Sequence, residues 1–283
     1  MKTPTRGEVR DLLSDLDRLE TGIEKVEDTL FKSKIAGDEK FTRQGLLARL
    51  VHFSHLTFTV VLAFTGLVIL FPGLFPWVSR GALRATHLWV SLFSVAIPLG
   101  GAALAPRATL ELLSEYPSWS LKDLVWLIRF PFRLFQPQRK IEVPVIRTKL
   151  NPGQKLMGGS LLTLLTLLAA SGTLRLFPNT IPPSVIARAE TVHRVAFPIL
   201  LFLLSGHLAI GSGAFEIYSG VWRAMFGDGT VTRRLAQEHW PYWLHRNETG
   251  QWPPPITAAV ALRAAGMILW LAAVTVAFLF LGT

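Results

Sequence analysis

No cysteine occurs in the 283 residues, and that absence removes several chemistries at once. The chain can form no disulfide, ligate no iron–sulfur cluster through thiolates of its own, attach no c-type haem and offer no cysteine nucleophile. Charge is scarce too: Asp, Glu, Lys and Arg make up 17% of the residues against 50% hydrophobic, with a mean hydropathy of +0.39. Such a balance argues against a soluble domain and for a membrane-embedded one. Residues 1–48 are charged and lack an apolar h-region, so no cleavable signal peptide is expected. The net charge of +10 is uneven, because residues 1–48 carry 9 Lys/Arg against 10 Asp/Glu and the remainder carries 20 against 9. The later cations flank apolar runs rather than gathering on a polar domain. That distribution follows the positive-inside rule and excludes a nucleic-acid binder.

What the chain does have is long apolar runs. Five approach or exceed the length that crosses a bilayer, over residues 50–71, 85–104, 156–177, 190–217 and 257–281. Before them, Leu12, Leu16, Leu19, Ile23, Val26 and Leu30 form a heptad seam on an otherwise acidic stretch. This predicts an amphipathic helix suited to docking on protein rather than on anionic lipid. Between the second and third runs, Leu121 to Phe135 reads as a basic, aromatic interfacial helix. The three most basic stretches precede the first run, follow the second and follow the fourth. All three belong on the cytoplasmic side, which puts the N-terminus inside and, after five spans, the C-terminus outside.

Residues 191–212, TVHRVAFPILLFLLSGHLAIGS, organise the rest. His193 and His207 are fourteen residues apart, so on a helix they share one face about 21 Å apart along the axis. With the orientation above, His52 and His207 fall near the inner leaflet and His87 and His193 near the outer one. An ionisable side chain inside a span reads as functional unless partnered, and these four form two depth-matched pairs. Zinc would want more ligands than a pair supplies. A b-type haem wants two axial imidazoles, an apolar slot and cations for its propionates, and Arg49 and Arg194, close to His52 and His193, suit either that task or an interfacial anchor. Bis-imidazole iron has no open coordination position, so its chemistry is electron transfer. Gly66, Gly100, Gly101 and Gly206 offer close approach, either to a porphyrin or to a neighbouring helix. His239 and His245, in the polar stretch after the fourth run, suit a solvated or interfacial place better than ligation.

Several motifs extend this reading. They are RLVHFSHLTFTVVLAFTGLVILFP at 49–72, LRATH ending at His87, KLNPGQK at 149–155, the His193/His207 spacing and GTVTRRLAQEHWPYW at 229–243. Over roughly residues 45–246 the chain resembles the cytochrome b (gamma) subunit of membrane-bound respiratory formate dehydrogenases. The resemblance implies an all-α integral membrane protein, a four-helix di-haem cytochrome b bundle over residues 49–246. To this bundle are added the amphipathic extension of residues 1–48 and a fifth transmembrane helix within residues 247–283. It implies two haem b groups, with His87 and His193 ligating the outer haem and His52 and His207 the inner. The Arg-x-x-His pattern selects His52 over His55. Asn151, Gly153 and Gln154 match the family's quinone-site motif, whereas on sequence alone they are a turn entering a helix.

The implied partners are an iron–sulfur electron-transfer subunit, a catalytic oxidoreductase subunit, membrane lipid and a quinone, menaquinone or ubiquinone. The chain itself has no substrate-oxidising centre. The implied location is a bacterial-type inner (cytoplasmic) membrane. Electrons from outside would reduce quinone at the inner face, and the same module run backwards would oxidise quinol. Rival readings are the related cytochrome b subunits of hydrogenases and thiosulfate reductases, and a haem-free membrane anchor or transporter. The fifth span and the heptad extension are additions to the family pattern and leave the partner complex open.

Overall fold

The structure, a computed structural model, describes residues 39–139, 141–251 and 256–280. The heptad seam predicted within residues 1–48 therefore lies outside the described residues. A short strand β1 (Lys40–Thr42) leads into α1 (Leu46–Leu70) and, after a 3-10 turn, α2 (Arg80–Leu104). The connection to the second half holds α3 (Pro106–Glu115) and α4 (Leu121–Phe135), followed by α5 (Pro152–Leu174) and α6 (Pro183–Gly211). Then come α7 (Arg223–Phe226), strand β2 (Thr230–Thr232), α8 (Arg233–His239), α9 (Pro241–Glu248) and α10 (Ala258–Phe280). Helices α1, α2, α5, α6 and α10 are long and apolar enough to cross a membrane. The fold is all-α apart from the two strands, an integral membrane architecture. Two helical hairpins, α1–α2 and α5–α6, form its body, and α10 packs on α3, α5 and α6.

The spans turn their greasy side outwards. On α1 the exposed residues Leu46, Leu50, Phe53, Val60, Phe64 and Leu67 recur at helical spacing. The opposite stripe repeats every seven residues as His52, Thr59 and Gly66. The same interval gives His87, Ser94 and Gly101 on α2 and His193, Leu200 and His207 on α6. Lipid solvates the apolar face as well as a core would, so helices associate through small and polar residues instead. Pro98 in α2 and Pro198 in α6 sit inside helices, as membrane helices allow where neighbours can satisfy the freed carbonyl. The fourth predicted span, 190–217, is displaced: α6 starts at Pro183, in the first-turn position where a missing N–H costs nothing. It stops at Gly211, just before Gly213 turns the chain with φ 76°.

The end of the bundle where α1 begins, the proximal end, carries a core of its own. β1 pairs antiparallel with β2, Phe41 opposite Val231. Beneath them Val231, Leu235, Ala236, Trp240, Trp243 and Leu244 pack together with Ala224. The guanidinium of Arg43 is sandwiched between Trp240 and Trp243, its carbon 4.7 and 4.6 Å from the two ring centres. It donates to the Lys149 carbonyl at 2.8 Å. Burial pulls Arg43 down to about 9, against the opposing field of Glu115.

His239, for which a solvated or interfacial place was expected, is buried against this core. It stacks on Tyr218 with ring centres 4.1 Å apart, and its Nε2 lies 2.6 Å from the Ile217 carbonyl oxygen. Desolvation lowers its pKa to about 4, with Arg133 adding to the effect. It is a neutral packing residue whose polar tip is satisfied.

Helix α4 is fixed to α5 by one buried ion pair. Lys155 Nζ meets Asp123 Oδ1 at 2.8 Å with both side chains almost wholly enclosed, and it also donates to the Ser118 carbonyl at 2.5 Å. Burial alone would raise the Asp123 pKa, but the Lys155 ammonium and the Ser120 hydroxyl outweigh it and hold the carboxylate below its usual range. Removing one member leaves the other charged, enclosed and unpaired. Lys155→Met should cost about 3–5 kcal/mol in detergent-solubilised thermal or denaturant unfolding. Adding Asp123→Leu to that variant should recover most of the loss.

Candidate functional site

Two imidazole pairs face each other across the hairpins. At the proximal end His52 of α1 and His207 of α6 have ring centres 6.1 Å apart with planes at 49°. At the distal end His87 of α2 and His193 of α6 are 6.4 Å apart at 68°. All four rings are half-buried. The fourteen-residue spacing on α6 separates the two pairs by about 21 Å along that helix. Two imidazoles sharing one metal ion through bonds of about 2 Å stand with ring centres roughly 6 Å apart. Both pairs have that separation. Among the described residues no group of three or more metal-ligating side chains occurs, so each pair could provide two axial ligands and no more.

The distal pair is held from behind. Thr65 Oγ1 lies 2.8 Å from His87 Nδ1, and Ser171 Oγ lies 3.0 Å from His193 Nδ1. Each hydroxyl is followed by a glycine that approaches the same ring. A Cβ on Gly66 would stand 3.6 Å from His87 Cε1, and one on Gly172 would stand 3.4 Å from His193 Cε1. Ligand-orienting hydrogen bonds of this kind fix the direction of a metal-binding imidazole. Arg175, the C-cap of α5, lies near enough to act electrostatically on both distal rings. Arg194, the cation expected from the sequence to lie at this pair, is well exposed and pairs with Glu190 one turn away at 3.2 Å.

The proximal pair is framed differently. The His52 ring meets Phe226 of α7 edge-on at 5.8 Å. Arg49, one turn before His52, donates through Nη1 to the Gly227 carbonyl. Its Nε is buried without a hydrogen bond. Gly229, at φ 85°, closes this turn, and a Cβ there would meet the Gln44 carbonyl at 2.5 Å. His55 stands apart from the pair, its Nδ1 3.4 Å from Ser94 Oγ of α2.

Asn151, Gly153 and Gln154 open α5. Asn151 Oδ1 accepts from the Gln154 N–H at 2.9 Å, and Gln154 Oε1 accepts from the Asn151 N–H at 3.1 Å. That is a reciprocal capping box. Gln154 Oε1 also accepts from Trp240 Nε1 at 2.8 Å. The Asn151 amide nitrogen is buried without a conventional hydrogen bond, beside the Tyr218 hydroxyl, which burial shifts upwards. Trp126, stacked on Phe130 at 4.1 Å, covers Gly153. Two turns into α5, Met157 lies where a Cβ on Gly206 would touch it, next to His207. The motif thus carries a structural role, with the Asn151 amide nitrogen facing the Tyr218 hydroxyl.

The glycines divide by task. Gly66 lies at the distal rings, Gly206 faces Met157, and Gly100 has open space around it. Gly101 is a helix contact: a Cβ there would meet Val51 Cγ2, the neighbour of His52, at 2.7 Å. Gly101→Ala should push α1 and α2 apart at the proximal pair and cost about 1–3 kcal/mol by thermal unfolding. Val51→Ala on top of it should restore most of that.

A search of the curated proteins gives no match. The family model of prokaryotic cytochrome b561 matches residues 43–228, which span α1 to α6 and α7. Proteins of that family bind haem b. The two hairpins with their paired histidines lie within the matched region, and α10 lies outside it. The chain belongs to the prokaryotic cytochrome b561 family, multi-pass membrane proteins of haem-b electron transfer.

Proposed function

We propose that the chain is the membrane-anchoring di-haem cytochrome b subunit of a respiratory oxidoreductase complex of formate dehydrogenase type. It would pass electrons across a bacterial cytoplasmic membrane between a partner iron–sulfur subunit and a quinone site at the inner face. The observation that carries this reading is the two imidazole pairs, at 6.1 and 6.4 Å, on opposite ends of one bundle.

The donor sets suit haem b. Each pair supplies two neutral nitrogen ligands and no carboxylate or thiolate. The partnerless Nε of Arg49 supports a propionate near the proximal pair, and Arg175 and Arg194 offer cations at the distal one. When bound between two imidazoles, haem b supplies one-electron transfer without an open site for oxygen. The chain's own contribution is to aim the ligands, hold them about 21 Å apart along α6 and exclude water from the span. The basic stretches at the proximal end support its assignment to the cytoplasm, with the N-terminus inside. The formate dehydrogenase assignment rests on the motif resemblance; the family match itself stops at the cytochrome b level.

The quinone site belongs beside Asn151, Gly153 and Gln154. The buried Asn151 amide, which has two N–H groups, would donate to a quinone carbonyl beside Trp126 and Tyr218.

A reduced-minus-oxidised spectrum of the purified protein should show b-type haem at two per chain, and its absence would sink the reading. His207→Ala should lose one haem and His55→Ala neither. In the intact complex, Asn151→Ala should reduce quinone-coupled turnover at least tenfold with both haems retained. Unchanged turnover and unchanged inhibitor binding would remove the quinone-site assignment.

A further inference from the structure

The hydroxyls behind the distal imidazoles are not interchangeable with any polar neighbour. A hydroxyl has one proton to give. Thr65 Oγ1 is 2.8 Å from the Val61 carbonyl of its own helix, and Ser171 Oγ is 2.6 Å from the Leu167 carbonyl. With that proton given to the preceding turn, each oxygen can only accept from the imidazole. His87 and His193 must then carry their hydrogen on Nδ1 and leave Nε2 bare. The opposite tautomer would require the hydroxyl to turn away from the carbonyl of its own helix, giving up that bond.

A second observation, independent of the distances, is an ungapped internal repeat. Thr65-Gly66, Leu70-Phe71-Pro72 and His87 return as Ser171-Gly172, Leu176-Phe177-Pro178 and His193, each 106 residues later. In both hairpins the hydroxyl stands 22 residues before the histidine it contacts. The distal site is thus the junction of two copies of one device. The proximal pair is outside the repeat: the positions matching His52 and His207 are Gly158 and Gly101. Among the described residues, neither proximal imidazole has a hydrogen bond.

We propose that Thr65 and Ser171 are positioning residues that lock both distal ligands in the Nδ1–H form and lower the reduction potential of the distal haem relative to the proximal one. The proposal rests on the reading that both pairs bind haem b. An Nδ1–H bond makes the imidazole a stronger donor through its other nitrogen, and stronger donation favours the oxidised iron. The asymmetry between the two sites makes electron transfer from the distal to the proximal haem the downhill direction.

The test is a potentiometric titration of the b-type absorbance in the purified full-length protein. The His207→Ala background, which keeps only the distal haem, identifies the distal component. Thr65→Val and Ser171→Ala should each raise the distal midpoint, changing the oxidised-to-reduced ratio at fixed potential by roughly three- to tenfold, tenfold being 59 mV for one electron. The proximal midpoint should stay put. Thr65→Ser and Ser171→Thr should keep the wild-type value, and a Thr65→Val protein that loses the distal haem while Thr65→Ser retains it supports the same role. Distal midpoints unmoved by both hydroxyl deletions, or moved equally by the conservative variants, overturn the proposal and leave the haem reading standing. A wild-type protein without any b-type band overturns both.

Discussion

An imidazole inside a lipid bilayer has no water to turn to, and that constraint orders much of this structure. Each distal ring finds its polar partner within the bundle. The distal site meets the demand with a hydroxyl and a glycine on the facing helix of each hairpin. Hydroxyl and glycine together need little volume, so the helix can come close enough to reach the ring. The seven-residue stripes on α1, α2 and α6 follow from the same demand. Apart from the buried Leu200 on α6, they reserve one narrow face of each helix for small, polar or ligating residues and leave the rest of the surface to lipid.

The proximal end solves a different problem. There the chain leaves the apolar slab, and the segments between spans must be fixed without a large hydrophobic core. Lys155 against Asp123 and His239 stacked on Tyr218 each bury a polar group with its needs met, and Arg43 is held between two tryptophans with one nitrogen on the Lys149 carbonyl. These contacts tie α4, α8 and α9 to the start of α5, and Arg49 holds the turn next to Phe226 and His52. The surroundings of the proximal pair are therefore built largely by residues far along the chain, whereas the distal surroundings come from within the hairpins.

This difference explains what the sequence made legible. Spans, their approximate limits and the pairing of His52 with His207 and His87 with His193 could be read from spacing and charge, because helical geometry and depth are regular. Leu121 to Phe135 was readable as a helix for the same reason. The interior of residues 223–248 was not: a run rich in Arg, Trp and His looks solvated until Phe41 is paired with Val231, and no local signal links them. Asn151 to Gln154 was readable as a turn entering a helix, but the mutual capping of Asn151 and Gln154 and the third bond from Trp240 were not. Thr65 and Ser171 read as ordinary helix residues until the 106-residue repeat sets them side by side. Arg175 drew no attention because its nearness to both distal rings is purely tertiary.

The short sheet has a consequence for biogenesis. β1 precedes every span, yet its partner strand is made only after the fourth, about 190 residues later, which at ordinary synthesis rates of about 5–20 residues per second means roughly 10–40 s. During that interval the first hairpin is already in the membrane with Phe41, Arg43 and Arg49 unclasped. The distal half can close as soon as α6 inserts, but the floor beneath His52 and His207 must wait for the turn around Gly229. Maturation of the nascent chain thus proceeds from the distal end of the bundle back towards the proximal one.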